Sequence, residues 1–349
     1  MPGRVIRMLG AVARRLRARR DPPAVVLLYH RVAAPPSDPQ LLCVAPERFD
    51  AHLAVLAARC RPLSLEALLE SMAGGRVPER AVAVTFDDGY ADNLESARPL
   101  LERHGVPATV YVTSGSIGSR EEFWWDELER LLLLPGRLPA TLRLAVAGHS
   151  LEWSLGTAAE LSAAEAMRHC DWTVLDAEVP TPRHRIYRAL HRRLRRAPTA
   201  IRKEVIRALR DWAGAGDQGR PSHRALDLDG VRELARGGLV SIGAHTQTHP
   251  VLASIPREEQ RLEIERSRDA LAACLGAPPR TFAYPFGGRT DFTPSTAALV
   301  RAAGFDAAVT TAAEPAWPDG DRYRVPRFLV RDWDRGTFER RLERFFRGG

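Results

Sequence analysis

Short runs of apolar, often β-branched residues alternate along the chain with stretches whose apolar positions recur every three or four residues. That rhythm predicts parallel strands joined by crossover helices. The first strand reads as "AVVLLYH" at 24–30, and a helical pattern follows over 46–60. A second helix, "SLEALLESMAGG", starts on a capping Ser64 and stops at Gly74, with a short strand signal before it near 61–64. Then come the strand "AVAVTF" (81–86), the helix "ADNLESARPLLERHG" and the strand "ATVYVT" (108–113).

The same alternation returns after residue 226, with a helix over 227–237, the strand "LVSIGA" (239–244) and a long helix over 256–274. The strand "RTFAY" (280–284), a helix over 294–303, the strands "DAAVTT" (306–311) and "RVPRFLV" (324–330) and a last helix over 336–346 complete it. About eight strand signals suffice for a distorted (β/α) barrel, so the fold class is α/β. Residues 116–225 break the rhythm. "TLRLAVAGHSLEWSL" alternates about a glycine turn and predicts a β-hairpin, and arginine-rich helical sequence, notably "RHRIYRALHRRLRR", follows it. The expected organisation is a basic segment at 1–23, a barrel built from 24–115 and 226–349, and a mixed hairpin and helical insertion at 116–225.

Composition narrows the class. With 45% hydrophobic and 27% charged residues among 349, the chain has the make-up of a globular protein, not of a disordered or membrane-embedded one. A formal charge of +8 suits an anionic partner. Lys203 is the only lysine, however, so the basic character is arginine bias and a nucleic-acid role is disfavoured. Cys43, Cys60, Cys170 and Cys274 lie far apart and suggest neither a zinc cluster nor a disulfide framework. The start, "MPGRVIRMLGAVARRLRARRDPP", lacks the apolar core and cleavage site of an export signal. It reads as a basic amphipathic helix that is solvated or touches a membrane surface, and the protein is expected to be cytoplasmic.

Candidate chemistry gathers at strand ends. Asp87 and Asp88 follow the strand 81–86, His245 follows 239–244 with His249 four residues on, His30 ends 24–30, and "YPFGG" (284–288) ends the strand from Arg280. Asp-Gly is also a plain turn dipeptide, and a histidine pair at this spacing is a weak metal signal alone. In a parallel barrel, though, the C-terminal strand ends meet on one face. One carboxylate and two imidazoles there would hold a divalent ion, zinc foremost with Co2+ or Ni2+ acceptable, and leave a position for water. The second carboxylate would serve as general base, His30 would protonate a departing amine, and a backbone N–H of "YPFGG" would meet an oxyanion.

These motifs, "TFDDGY", "HTQTHP" and "YPFGG" in that order, resemble those of the polysaccharide deacetylases that share the NodB homology domain, carbohydrate esterase family 4. "LLYHRV" at 27–32 resembles the variant whose first strand carries the acid histidine, as in poly-N-acetylglucosamine deacetylases. The resemblance covers 24–115 and 226–331. It implies Asp87 as base, Asp88, His245 and His249 as metal ligands, His30 as acid and the Phe286 N–H as oxyanion donor. Two departures stand out: Ala283 occupies the place of an arginine that holds the base, and a late leucine-x-histidine motif is missing. Arg327 in "RVPRF" is the candidate replacement for that arginine, a surface salt bridge being the alternative.

The expected function is metal-dependent removal of an N-acetyl group from an amino sugar, in a glycan or a lipid-linked or nucleotide-linked precursor. A deformylase or amidase of the same chemistry and a non-catalytic carbohydrate-binding protein are the alternatives. Trp124 and Trp125 fit either a sugar-stacking wall or simple packing of the insertion against the barrel.

Overall fold

The computed structural model describes residues 22–146 and 148–348, so the basic segment and its suggested membrane contact lie outside the described residues apart from Pro22 and Pro23. The centre is an eight-stranded, wholly parallel sheet that curls into a half-barrel. Its strands are β1 (Val25–Tyr29), β2 (Arg61–Pro62), β3 (Ala81–Phe86), β4 (Ala108–Val112), β5 (Val240–Ala244), β6 (Thr281–Ala283), β7 (Ala307–Val309) and β8 (Phe328–Leu329). They run in the order β7-β6-β5-β4-β3-β1-β8, with β2 paired to the start of β3 beside β4. The two edges approach through the last run of chain: Val325 bridges Val309 of β7, and three residues later β8 pairs with β1.

Strands buried on both faces need continuous apolar runs rather than alternation. β1 and β3, "VVLLY" and "AVAVTF", are fully buried along their length. Crossover helices cover the outside and supply Phe49, Leu53, Leu101, Leu234, Ile264, Leu271 and Val300 to the main core. Several boundaries differ from the sequence pattern. The expected strand 324–330 is a single bridge at Val325 and the two residues of β8, because Pro326 lies between them and cannot donate to a ladder. The expected helix over 91–105 begins as a π turn at Asn93–Ala97 and becomes α-helical only at Arg98–His104. Pro99 cannot donate to the Glu95 carbonyl, and the wider turn, in which the Arg98 N–H reaches the Asn93 carbonyl, accommodates that loss.

The chain between β4 and the helix Leu228–Ala235 builds a lobe over one end of the sheet. Helices Trp124–Leu132, Pro182–Leu194 and Thr199–Ala213 and the hairpin Thr141–Val146/His149–Ser154 pack around a separate cluster that includes Leu128, Leu142, Leu144, Ile186, Leu190, Val205 and Leu209. The arginine-rich stretch of the lobe is not one uniformly solvated face. Arg183 is buried and donates to the carbonyls of Ala158, Leu134, Gly136 and Ala159. None of the described helices is long and apolar enough to cross a membrane.

Gly243 in β5 lets the Tyr111 ring lie flat against the strand, since a Cβ there would stand 2.4 Å from two ring carbons. Tyr111 is fully buried and cannot swing away. Gly243→Ala is therefore expected to lower the unfolding free energy by about 1–3 kcal/mol in urea denaturation. An unchanged midpoint would show that the ring has room to yield.

Candidate active site

β3 ends at Phe86, and the next two residues place both carboxylates at the C-terminal edge of the sheet, 3% exposed each. The Asp87 N–H donates to the Tyr29 carbonyl (3.0 Å), which locks the end of β3 to the end of β1 just before His30. β5 delivers His245 in the same way, and the turn after it brings round His249. Four of the six non-glycine residues with left-handed backbone among the described residues lie in these turns: Asp88 (φ 74°), Thr246 (63°), His249 (58°) and Phe286 (61°). Such conformations cost on the order of 1 kcal/mol or more each and persist where surrounding contacts over-determine them.

Those contacts are present. Glu263 accepts from the N–H groups of Gln247 (2.9 Å) and Thr248 (2.8 Å) and from the Thr248 hydroxyl (2.6 Å). The Thr246 hydroxyl accepts from the His249 N–H at 3.0 Å. Arg202, on the lobe helix Thr199–Ala213, donates to the carbonyls of His249 (2.9 Å) and Thr248 (3.2 Å). Gly115, just beyond β4, donates to the Gln247 carbonyl at 2.8 Å, and its bare Cα makes the approach possible: a Cβ would stand 2.4 Å from that oxygen.

Asp88, His245 and His249 offer three buried donor atoms within 4.8 Å of one another. The Nε2 atoms of His245 and His249 lie 3.6 Å and 3.3 Å from Asp88 Oδ1. His245 Nδ1 donates to the Ala283 carbonyl at 2.8 Å, which fixes the tautomer and turns the Nε2 lone pair toward Asp88. Burial lowers the pKa of His245, and burial with the Arg202 charge pushes His249 down to about 3. Both imidazoles are therefore neutral. Two neutral imidazoles and one carboxylate that hydrogen-bond to no described residue through these atoms form a donor set that fits a divalent ion.

Asp87 has a different setting. Burial alone would raise its pKa, yet the Arg327 guanidinium outweighs burial and holds it at about 2. Arg327 is fully buried and grips Asp87 in a two-pronged pair, Nη1 to Oδ1 and Nη2 to Oδ2 both at 2.7 Å. It is itself fixed by Thr85 Oγ1 (3.1 Å) and the Thr310 carbonyl (2.9 Å) and lies over the Tyr111 ring. The surface salt bridge considered for Arg327 is thus not what this residue makes. Ala283 gives the site only its carbonyl.

His30 joins the group electrostatically: its pKa is lowered, by burial foremost and by the Arg331 and Arg327 charges, against the opposing pull of Asp88 and Asp87. Its carbonyl accepts from Asn93 Nδ2 (2.8 Å), and its Nδ1 is buried with no partner among the described residues. Phe286 lies across from His249, ring centroids 4.8 Å apart, and its carbonyl accepts from the Thr311 hydroxyl. All seven residues singled out in the sequence are thus drawn to one end of the sheet.

The lobe adds further side chains around the site, of which Arg195 was not singled out in the sequence. Trp125 packs its ring 5.0 Å from His249 and donates through Nε1 to the Tyr90 hydroxyl (2.8 Å), which in turn donates to Asp126 (2.7 Å). It is buried in a small cluster with Tyr90, Phe123 and Ala225, so of the two readings offered for this tryptophan it is packing that applies. Arg195 covers the Phe286 ring at 4.4 Å and pairs with Asp291 (2.8 Å). Trp124 instead lines a cavity of about 500 Å3 that also touches His249, Arg202 and Lys203.

Removing Arg327 would strand a buried carboxylate. Arg327→Ala is expected to cost about 3–5 kcal/mol of stability in denaturant unfolding. Adding Asp87→Asn to that variant should restore part of the loss. No recovery in the double variant would contradict the uncompensated-charge explanation.

The comparisons with known proteins agree with this architecture. A family model described as polysaccharide deacetylase matches residues 74–152 and 210–308, slightly over half of the chain. YxkH of Bacillus subtilis (strain 168), provisionally named a polysaccharide deacetylase, is 30% identical over 108 residues, which are 30% of this chain and 37% of that protein. Among solved structures, the Streptococcus pyogenes deacetylase PplD in complex with acetate aligns with a TM-score of 0.57 at 17% identity, covering 92% of this chain and 99% of that one. IcaB from Ammonifex degensii aligns at 0.56 and 19% identity, covering 93% and 97%. The two structural likenesses carry the fold, and the family model carries the assignment: this chain belongs to the polysaccharide deacetylase family.

Proposed function

We propose that this protein is a metal-dependent hydrolase that removes the N-acetyl group from an amino sugar. The observation that carries the reading is the division of labour between two adjacent carboxylates. Asp88 faces two neutral imidazoles, while Asp87 faces a buried arginine and stays off that donor set. A structural role for both carboxylates would not call for such different partners. In this reading Asp88, His245 and His249 hold the divalent ion. Once bound, the ion would supply Lewis-acid polarisation of the acetyl carbonyl and a lowered pKa for water.

The remaining steps belong to the chain. Asp87, kept ionised by Arg327, accepts the proton from the water that attacks the carbonyl carbon. Arg327 already uses one lone pair on each Asp87 oxygen, so the guanidinium sets which lone pair takes that proton. The Phe286 N–H, which no described residue accepts from, faces the developing oxyanion. His30 protonates the amine nitrogen as the C–N bond breaks. Trp125, Phe123 and Tyr90 exclude water from one side of His249.

Acetate release from N-acetylglucosamine oligomers tests the reading. Activity is expected to vanish with a chelator and to fall by about 100-fold or more in Asp87→Asn and in His30→Ala. Formate measured in parallel separates the amide-hydrolase alternatives. Undiminished turnover in His30→Ala would overturn the acid assignment, and undiminished turnover in Asp87→Asn would overturn the mechanism.

A further inference from the structure

The cavity of about 500 Å3 between the lobe and the histidine turn is large enough for a sugar with a substituent, and it adjoins the reaction centre because His249 and Thr248 form part of its wall. Its lining holds four cations, Arg202, Lys203, Arg207 and Arg210, and four carboxylates, Glu121, Glu122, Glu127 and Asp217, but they are not evenly spread. Arg210 is matched by Glu121 (2.7 Å) and Glu127 (2.9 Å), and Glu122 is matched by Arg220 (2.8 Å). Arg202, Lys203 and Arg207 remain, with Asp217 as the single lining carboxylate not engaged by a described partner.

Arg202 is the most telling of the three. It is 3% exposed, and its guanidinium donates only to neutral acceptors, the carbonyls of His249 and Thr248 and the Thr199 hydroxyl. Glu263 is near enough for its charge to act on Arg202, but its oxygens accept from Gln247 and Thr248 and not from the guanidinium. A buried cation without a carboxylate partner is costly unless an anion arrives. Lys203 and Arg207 sit on the exposed side of the same helix, as a point charge and a planar fork, the two forms of phosphate recognition that these side chains offer. Trp124 adds a buried Nε1 donor with no partner among the described residues.

We propose that this cavity is a subsite for a phosphoryl group carried by the amino sugar, so that a phosphate-bearing acetamido sugar is preferred over a neutral one. The inference rests on the deacetylase reading for the position of the sugar, and on the lobe alone for the phosphate. The acetamido group would lie at Asp87 and His30, and the phosphoryl oxygens would meet Arg202, Lys203 and Arg207.

Calorimetric titration of the protein with N-acetylglucosamine and with N-acetylglucosamine 1-phosphate tests it. The phosphate form is expected to bind at least about 10-fold more tightly, with a margin that shrinks as salt rises. UDP-N-acetylglucosamine and a farnesyl-diphosphate-linked N-acetylglucosamine form the nucleotide and lipid arms, and a gain in either supports the subsite. Lys203→Glu combined with Arg207→Glu, two exposed positions, should erase the preference while the thermal unfolding midpoint stays in place. Equal affinity for the neutral and phosphorylated sugars, or a preference that survives the double substitution, would overturn the proposal. Binding is read without turnover, so the two claims fail separately. Absent acetate release with the preference intact strikes the activity, whereas release from neutral oligomers without any preference strikes the subsite.

Discussion

Arg327 and Asp87 are buried against each other at the place where the curled sheet comes back upon itself. Arg327 belongs to the run that bridges β7 at Val325 and pairs with β1 through β8, while Asp87 directly follows β3. Taking two charges out of water costs several kcal/mol each, and only the two-pronged geometry with the further bonds to Thr85 and Thr310 offsets it. The pair therefore fixes the relative position of non-neighbouring strands and the ionisation state of one carboxylate in a single contact. With Asp87 held this way, Asp88 is left to face His245 and His249.

A second constraint comes from the lobe. The histidine turn carries two left-handed residues and is held from the barrel side by Glu263 and from the lobe side by Arg202 and Trp125. Strain in the turn is thus borne by contacts from elements far away in sequence. The lobe cannot be treated as an appendage, because it covers His249 and Phe286 and walls the cavity beside them.

Much of this was legible in the sequence. Strands buried on both faces announce themselves as apolar runs, and chemistry at the ends of parallel strands follows from topology, so Asp87, Asp88, His245 and His30 could be gathered before any coordinates. Arg327 could be named because an arginine was missing at Ala283, but its two-pronged grip depends on how the sheet curls. The lobe was the opaque part. Arg183, Arg195 and Arg202 look alike in an arginine-rich stretch, yet one braces carbonyls, one covers an aromatic ring and one clamps the histidine turn. Periodicity distinguishes apolar from polar positions and says nothing about which arginine meets which acceptor. The π turn at Asn93–Ala97 was hidden for a related reason: Pro99 signals a disturbance without stating its form.

The central claim is that Asp88, and not Asp87, belongs to a metal site with His245 and His249. Titration of the metal-stripped protein with Co2+, followed by visible absorption, addresses it directly, since cobalt reports its ligand field as it binds. The account predicts saturation at one ion per chain, loss of the bands in Asp88→Asn, and their retention in Asp87→Asn. Absence of binding in the unsubstituted protein, or equal loss in both variants, would contradict the division between the two carboxylates.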